Sequence, residues 1–259
     1  MKKKIISLCL VVALGATAVI GGTLAYFTDT EKATNTMVIG NVEINIEEYA
    51  ADGTPFVDDE FTMYPIEEVL GNELNNKVVK TFNTSPSEDA AYIRTFILFE
   101  QNDILPSDFL SKNGITCACP DGLHFEHSDD SKNLCWGSVT VDGEKYWAYE
   151  FVAADGQPIA YGESLDTLTS VYMDDHITSD LIAGWQTKDD EGNITDNKVS
   201  ILVFSQGIQA TGLNHAEAME ALGGSYQTLK AQNNAHYAYV ENLFKDTTVN
   251  EAVINDLSN

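Results

Sequence analysis

Residues 90–99, with the sequence AAYIRTFILF, place the strongest constraint on the fold of this chain. The segment is rich in aromatic and β-branched residues, and apolar side chains occupy both of its alternating sets of positions. A strand with two apolar faces is predicted to lie at the centre of a sheet that is covered on both sides. Residues 198–210 (KVSILVFSQGIQA) predict a second buried strand of the same kind.

Shorter strands are predicted around these two. Residues 37–46 form one predicted strand, in which Val42, Ile44 and Ile46 alternate with polar residues, so one face is expected to be buried. Asp142-Gly143 is a strong hairpin signal, and residues 187–197 are predicted to form an acidic turn. Further strands are predicted at residues 77–83, 138–141, 145–152 and 165–173.

The pattern becomes helical in the C-terminal part of the chain. Asn214, followed three positions later by Glu217, predicts a capped helix over residues 216–222, which a glycine pair ends. A second helix is predicted over residues 226–244. Many short strands without a repeating βαβ pattern predict a mainly β fold, an antiparallel β-sandwich with short helices, two of them near the C-terminus.

The N-terminus has the features of a secretory signal. Three lysines precede the apolar run of residues 5–20, and small residues follow, with Thr23 and Ala25 at the −3 and −1 positions. Cleavage is therefore expected before Tyr26. The alternative is a retained anchor, because the apolar run extended to Ala25 is about 20 residues long, as a membrane span requires.

The charge of the chain excludes several classes of partner. Without residues 1–25 the protein keeps 11 of its 14 basic residues and all 40 acidic residues, which gives a formal charge of −29. Such a surface repels nucleic acid, which needs a basic footprint, and it repels anionic membrane. We therefore expect no nucleic-acid partner and no membrane contact after cleavage. A hydrophobic content of 44% excludes a disordered acidic chain.

Four parts are predicted along the chain. Residues 1–25 are a cleaved signal peptide, and residues 26–40 are a flexible N-terminal segment. Residues 41–224 form the sandwich domain, with an insertion at residues 101–135 that has no clear hydrophobic period. Residues 225–259 form a helical extension.

The insertion contains a cysteine- and histidine-rich stretch, CACPDGLHFEHSDDSKNLC. These side chains are ligands that zinc accepts, so a structural zinc site is one interpretation. A disulfide from Cys135 to Cys117 or Cys119 is another, because export exposes thiols to oxidation, and free thiols are the third. The acidic turn has two interpretations, a weak calcium site or a solvated turn without a ligand. No other cofactor is expected. The candidate zinc ligands are Cys117, Cys119, His124, His127 and Cys135.

Recognised catalytic patterns are missing from the sequence. It contains no H-E-x-x-H, no G-x-S-x-G, no G-x-x-x-x-G-K-[ST] and no G-x-G-x-x-G. We therefore expect a protein that is not an enzyme and has no catalytic residues. Arg94, the single arginine, is predicted to pair with a nearby carboxylate as a packing element.

Residues 21–48 (GGTLAYFTDTEKATNT followed by MVIGNVEINIEE) resemble the signature of the TasA/camelysin family. The matching positions are a G-T-x-A-[FY]-F motif, an aspartate, a polar run and a glycine before an alternating strand. Two further stretches are similar to the family: residues 80–100, with Asn83 and Arg94 in register, and residues 201–223, with Gln209.

The resemblance implies a jelly-roll domain in a Gram-positive protein, cut by a SipW-type signal peptidase and exported to the biofilm matrix or cell surface. It also implies fibres, in which the freed N-terminal segment of one subunit completes the sheet of the next. Other matrix proteins or polysaccharide are further expected partners. The alternatives are a secreted metalloendopeptidase, as in the camelysin branch, and a surface binding module that does not polymerise. The expected donor residues are Tyr26, Phe27, Met37, Val38 and Ile39.

Overall fold

The computed structural model describes residues 28–29, 36–39, 42–49, 53, 77–101, 123–173, 187–188, 194–196, 200–245 and 251–253. Strands make up most of this part of the chain, and three α-helices precede the last strand. None of the helices in these ranges has the length and apolar character that crossing a membrane requires.

The described strands are β1 (Thr28–Asp29), β2 (Thr36–Ile39), β3 (Ile44–Tyr49), β4 (Val78–Asn83), β5 (Ala91–Glu100), β6 (Leu123–His127), β7 (Ser131–Val141), β8 (Glu144–Ala153), β9 (Ser164–Asp166), β10 (Leu168–Met173), β11 (Thr187–Lys188), β12 (Ile194–Asp196), β13 (Ser200–Gln209) and β14 (Glu251–Val253). The helices are α1 (His215–Ala221), α2 (Tyr226–Ala231) and α3 (Ala235–Lys245).

One large sheet organises the fold, with the strand order β1-β2-β13-β5-β8-β7 and with β14 paired to β13. Smaller sheets have the orders β3-β4-β9, β10-β6 and β11-β12. All of these pairs are antiparallel except β2 with β13, which is parallel.

The two apolar segments form the centre of the large sheet, as predicted. β5 pairs with β13 over nine residue pairs, from Ala91 opposite Gln209 to Phe99 opposite Ile201. Nine of the ten residues of β5 are buried, so both of its faces are covered.

The small sheets β3-β4-β9 and β10-β6 cover one face of the large sheet. Val42 and Ile44 pack there with Ile93 of β5 and Leu165 of β9. Phe125 of β6 stacks on Phe99 of β5 with 5.1 Å between ring centroids. The two layers thus enclose an apolar interior, as a β-sandwich does.

A cluster of three hydroxyl groups lies inside this interior. Thr81 of β4, Thr95 of β5 and Ser205 of β13 are fully buried. Their oxygen atoms are 2.8–3.1 Å apart in all three pairs. Each hydroxyl has one hydrogen to donate, so the three groups can satisfy one another without water.

The helices cover the other face of the large sheet. Val240 and Phe244 of α3 are buried against Phe96 and Phe204. Leu222, just after α1, is buried in a second cluster on this side, together with Tyr92, Val152, Ile208, Ala218 and Met219. The C-terminal helices therefore contribute to the core.

The helix predictions are partly confirmed. The capping box at Asn214 is present: its side chain accepts from the Glu217 N–H, and the Glu217 carboxylate accepts from the Asn214 N–H. The prediction of one helix over residues 226–244 is wrong, because Asn233 and Asn234 adopt φ values of +58° and +62° and separate α2 from α3. Asparagine tolerates this left-handed conformation better than most residues.

The single strand predicted over residues 37–46 is also wrong. β2 belongs to the large sheet and β3 to a small sheet, and Val42 and Glu43 between them have no strand pairing. The predicted hairpin at Asp142-Gly143 is confirmed, since both residues have positive φ, as a type I′ turn requires. β6 and the beginning of β7 lie within residues 101–135 and were not predicted.

The fold is thus a mainly β protein built from antiparallel sheets, with short helices near the C-terminus, as the sequence predicts. The more specific jelly-roll topology stays a prediction.

Candidate functional site

The N-terminal segment forms part of the large sheet along the outer edge of β13, the edge that faces away from β5. β2 lies on this edge in parallel register, with Thr36 opposite Ser205 and Ile39 opposite Ile208. β1 then pairs with β2 and becomes the last strand on this side in the described residues. The edge that carries β2 is the candidate functional site, because strand addition uses edges of this kind.

The same edge also carries the C-terminal strand. β14 pairs antiparallel with the first three residues of β13, with Val253 opposite Ser200 and Glu251 opposite Leu202. Segments near the two ends of the chain therefore lie side by side on one edge.

Gly207 of β13 lies next to the segment that passes from β2, in the large sheet, to β3, in a small sheet. It lies opposite Val38 in β2. A Cβ atom at Gly207 would lie 3.0 Å from Cγ2 of Ile44 and 3.1 Å from Cγ1 of Val42. The glycine thus lets the crossing segment pack close to the backbone of β13. The sequence offers one signal for this position, a lone glycine inside an apolar strand, which often indicates close backbone approach.

The expected donor and cleavage residues are only partly described. Met37, Val38 and Ile39 lie in β2. Tyr26 and Phe27 lie outside the described residues, as do Thr23 and Ala25 of the expected cleavage site. The assignments of donor and cleavage residues therefore stay predictions.

The five candidate zinc ligands are also described in part. Cys117 and Cys119 lie outside the described residues, and of His124 only the backbone position in β6 is described. His127 ends β6, and its Nδ1 is 2.9 Å from the Ser128 carbonyl oxygen. Cys135 lies exposed in β7, and no disulfide joins it to another residue of the described ranges.

Within the described ranges, no three His, Cys, Asp or Glu side chains lie together as metal ligands. These ranges therefore do not supply a zinc centre. The zinc, disulfide and free-thiol alternatives for the whole set stay open.

Arg94 is the centre of a buried polar network between the large sheet and the helices. Its Nε and Nη2 donate to Gln206 Oε1 at 3.0 and 2.7 Å. Its Nη1 and Nη2 each donate to a backbone carbonyl beyond α1, those of Gly224 and Leu222, at 2.9 Å. Tyr239 of α3 lies within hydrogen-bonding distance of the same guanidinium.

The predicted carboxylate partner of Arg94 is Glu150. Oε1 of Glu150 is 3.6 Å from Nη1 of Arg94, and both side chains are buried. Oε2 of Glu150 accepts from the indole N–H of Trp136 at 2.8 Å. Burial raises the pKa of the Tyr239 hydroxyl, so this group remains a neutral donor near pH 7. The network joins strands and helices and presents no exposed reactive group.

Two histidines lie in the first turns of α1 and α3. His215 and His236 each have one buried ring nitrogen without a hydrogen-bond partner. His215 contacts Tyr92 edge to face, and His236 lies among Trp136 and aromatic residues of the helices. Burial lowers the pKa of both rings, and nearby lysines lower it further.

These features define a class: a mainly β protein with antiparallel sheets, C-terminal helices packed on the large sheet, and an N-terminal segment added to a sheet edge. The first 52 of the 259 residues match the family model described as camelysin metallo-endopeptidase. This match confirms the resemblance to the TasA/camelysin family over a segment that includes β1, β2 and β3. No curated protein and no solved structure matches the chain.

Proposed function

We propose that this is a secreted structural protein of the biofilm matrix or cell surface, whose copies assemble into fibres by N-terminal strand donation. The observation that carries the proposal is the parallel pairing of β2 with the outer edge of β13. Only residues 40–43 separate β2 from β3, which belongs to another sheet. The same edge of a second copy offers the same backbone groups to the same segment, so the pairing can form between copies.

Head-to-tail contacts of this kind do not close on themselves and therefore build filaments. The family match supports the proposal, because it covers the N-terminal leader together with β1 and β2, which belong to the proposed donor segment. Expected cleavage before Tyr26 would free the segment from the membrane just ahead of β1, so processing and assembly would be coupled.

The test compares two chains, one that begins at Tyr26 and one that begins at Gly40. Size-exclusion chromatography and negative-stain microscopy at several concentrations, at neutral and acidic pH, report their assembly. Filaments from the longer chain only are the expected result. Val38→Pro in the longer chain should prevent filaments, because proline has no N–H to donate, whereas Val38→Ile should not. If both chains stay monomeric under all conditions, strand donation is refuted and the binding-module alternative is favoured.

A secreted metalloendopeptidase is the second candidate, and one observation favours it: the matched family model carries that description. The sequence lacks H-E-x-x-H, so a zinc centre would need another set of ligands. Zinc content and casein hydrolysis, with and without a chelator, test this candidate. Hydrolysis that a chelator abolishes and zinc restores would establish a peptidase.

A further inference from the structure

β7 forms the second edge of the large sheet, at the opposite end from the strands of the N-terminal segment. It is 11 residues long and pairs on one side with β8. In the part of the chain that the structure describes, no strand pairs with its other side. An edge strand with unpaired N–H and C=O groups can bind a strand of another molecule.

α3 covers the second half of this edge. Oε1 of Glu241 accepts from the N–H of Thr140 at 3.0 Å, so this N–H points away from β8. A Cβ atom at Gly137 would lie 2.9 Å from Cε1 of Tyr237, because the tyrosine ring lies directly on the strand. Strand addition is therefore blocked between Gly137 and Thr140.

The first half of the edge, residues 132–135, is open, and all four of these residues are exposed. The carbonyl oxygen of Asp130 accepts from the N–H of Ala154 at 2.9 Å, and the pairing with β8 continues in register from there to Cys135. Because neighbouring residues of a strand direct their N–H and C=O groups to opposite sides, those of Asn133 and Cys135 point away from β8. Among the described residues, neither has a backbone partner on that side.

The composition of β7 suits contact with a second copy of this acidic chain. The chain has 40 acidic and 14 basic residues, so two copies repel each other over most of their surfaces. β7 contains one lysine and no acidic residue. Leu134, in the open half, is 40% exposed. Two copies can therefore meet at this edge without pairing carboxylates, and the contact buries an exposed leucine.

We propose that the open half of β7 pairs antiparallel with the same half of a second copy, around a two-fold axis at Leu134. In this register Asn133 of each copy lies opposite Cys135 of the other and exchanges two backbone hydrogen bonds with it. The two Leu134 side chains face each other at the axis. The two Lys132 residues lie about 13 Å apart along the strands, so their charges do not meet.

The neighbouring antiparallel registers use the same edge less well. One of them places Cys135 opposite Ser131, whose N–H already donates to another carbonyl group of its own chain. The other places Asn133 opposite Gly137, which α3 covers. With the axis at Leu134, every outward N–H and C=O group of the open half has a partner. A symmetric contact of this kind is complete with two copies.

The dimer leaves the outer edge of β13 untouched, because the two edges lie at opposite ends of the large sheet. It therefore does not depend on strand donation by the N-terminal segment. Its consequence for fibres, which rests on the proposed function, is that β7 joins neighbouring fibres side by side.

Cross-linking by one engineered cysteine tests the register. In the chain Tyr26–Asn259 with its own cysteines replaced by serine, Leu134→Cys places two thiols at the axis. Facing Cα atoms are about 4.5 Å apart there, so a disulfide can form. Lys132→Cys is the matched control, because its Cα atoms lie beyond the limit of about 7 Å for a disulfide. We expect a disulfide-linked dimer on non-reducing gels from Leu134→Cys only. No dimer, or equal dimer from both variants, overturns the proposal.

A second measurement keeps the native cysteines, in case their replacement disturbs the fold. Analytical ultracentrifugation in reductant follows the monomer–dimer equilibrium over concentration, and salt should favour the dimer by screening repulsion. Asn133→Pro removes two hydrogen bonds from each dimer and should weaken dimerisation roughly 30-fold. The fold should tolerate this proline, because the N–H of Asn133 faces away from the sheet. Asn133→Ser is the control and should dimerise like the unchanged chain. Equal association of the two variants, or monomers throughout, would contradict the pairing.

Negative-stain microscopy of the same samples separates this inference from the proposed function. Dimers without filaments support the pairing at β7 and refute fibre assembly. Bundled filaments from Asn133→Ser together with single filaments from Asn133→Pro support both. Filaments of the same appearance from both variants, without dimers, support fibre assembly and refute the pairing.

Discussion

Replacing Arg94 with methionine should destabilise the fold more than any surface substitution. Methionine has a similar length and fills the space, but it donates no hydrogen bond. The change leaves the Glu150 carboxylate without its cation and takes the donor away from Gln206 and from the carbonyl groups of Leu222 and Gly224. All of these groups lie where water has little access.

The loss of stability depends on which partners of Arg94 are left without a counter-charge or a hydrogen-bond donor. Removing one member of a buried ion pair costs about 3–5 kcal/mol, because the remaining charge has no compensation. The carbonyl group of Gly224, which loses its donor, adds about 1 kcal/mol unless the helices shift, whereas the carbonyl group of Leu222 keeps the Tyr239 hydroxyl as a donor. We therefore expect a loss of about 5 kcal/mol in the free energy of unfolding. For a chain of this size that corresponds to a decrease in Tm of roughly 10–20 °C.

Urea and thermal unfolding, followed by circular dichroism, measure this loss. Lys132→Met is the matched control, because Lys132 is exposed on β7 and its replacement should change stability by less than about 0.5 kcal/mol. The variant Arg94→Met should lose less stability in a Glu150→Gln background, since no carboxylate charge is then left unpaired. A loss below about 1 kcal/mol, or full additivity of the two substitutions, would refute the reasoning.

Three further predictions concern the helices and the hairpin. Burial lowers the folded-state pKa of His215 and His236, so the unfolded chain binds more protons, and stability should fall as the pH drops below about 6.5. Replacing both histidines with glutamine should reduce the loss in urea midpoint between pH 7.5 and 5.5, and an unchanged loss would contradict this cause. Asn214→Ala removes the capping box of α1 and should cost about 1 kcal/mol in urea unfolding, and no measurable cost would contradict the capping role. Gly143→Ala should cost about 1 kcal/mol in thermal unfolding, because the turn requires a φ of +99°, and equal or higher stability would show that the turn tolerates a side chain.

The sequence predicts helices and strands well where a short run of neighbouring residues indicates them. β5 and β13 follow from their apolar composition, the β7–β8 hairpin from Asp142-Gly143, and α1 from its capping box. β6 was missed because its partner β10 lies about 40 residues further along the chain, so its pairing leaves no local pattern. The break between α2 and α3 depends on two asparagines that are otherwise compatible with a helix.

The candidate site was predictable in part. The N-terminal segment could be singled out from its motif and its position after the signal sequence. The edge that it pairs with could not, because a strand edge consists of backbone groups that every sequence shares. The partners of Arg94 were predictable in part for the same reason. A carboxylate partner could be predicted from the charge of Arg94, but the backbone carbonyl groups of Leu222 and Gly224 could not, because every residue has such a group.

The buried hydroxyl groups of Thr81, Thr95 and Ser205 have a mechanical consequence. They connect β4 to the two central strands of the large sheet. Sliding one layer over the other by a single residue is a displacement of about 3.3 Å, enough to separate these groups in a space without water. Each separated hydroxyl would cost about 1–3 kcal/mol. A pulling force along the strands therefore meets resistance to shear in the middle of the interior, where apolar contacts alone would allow the layers to slip.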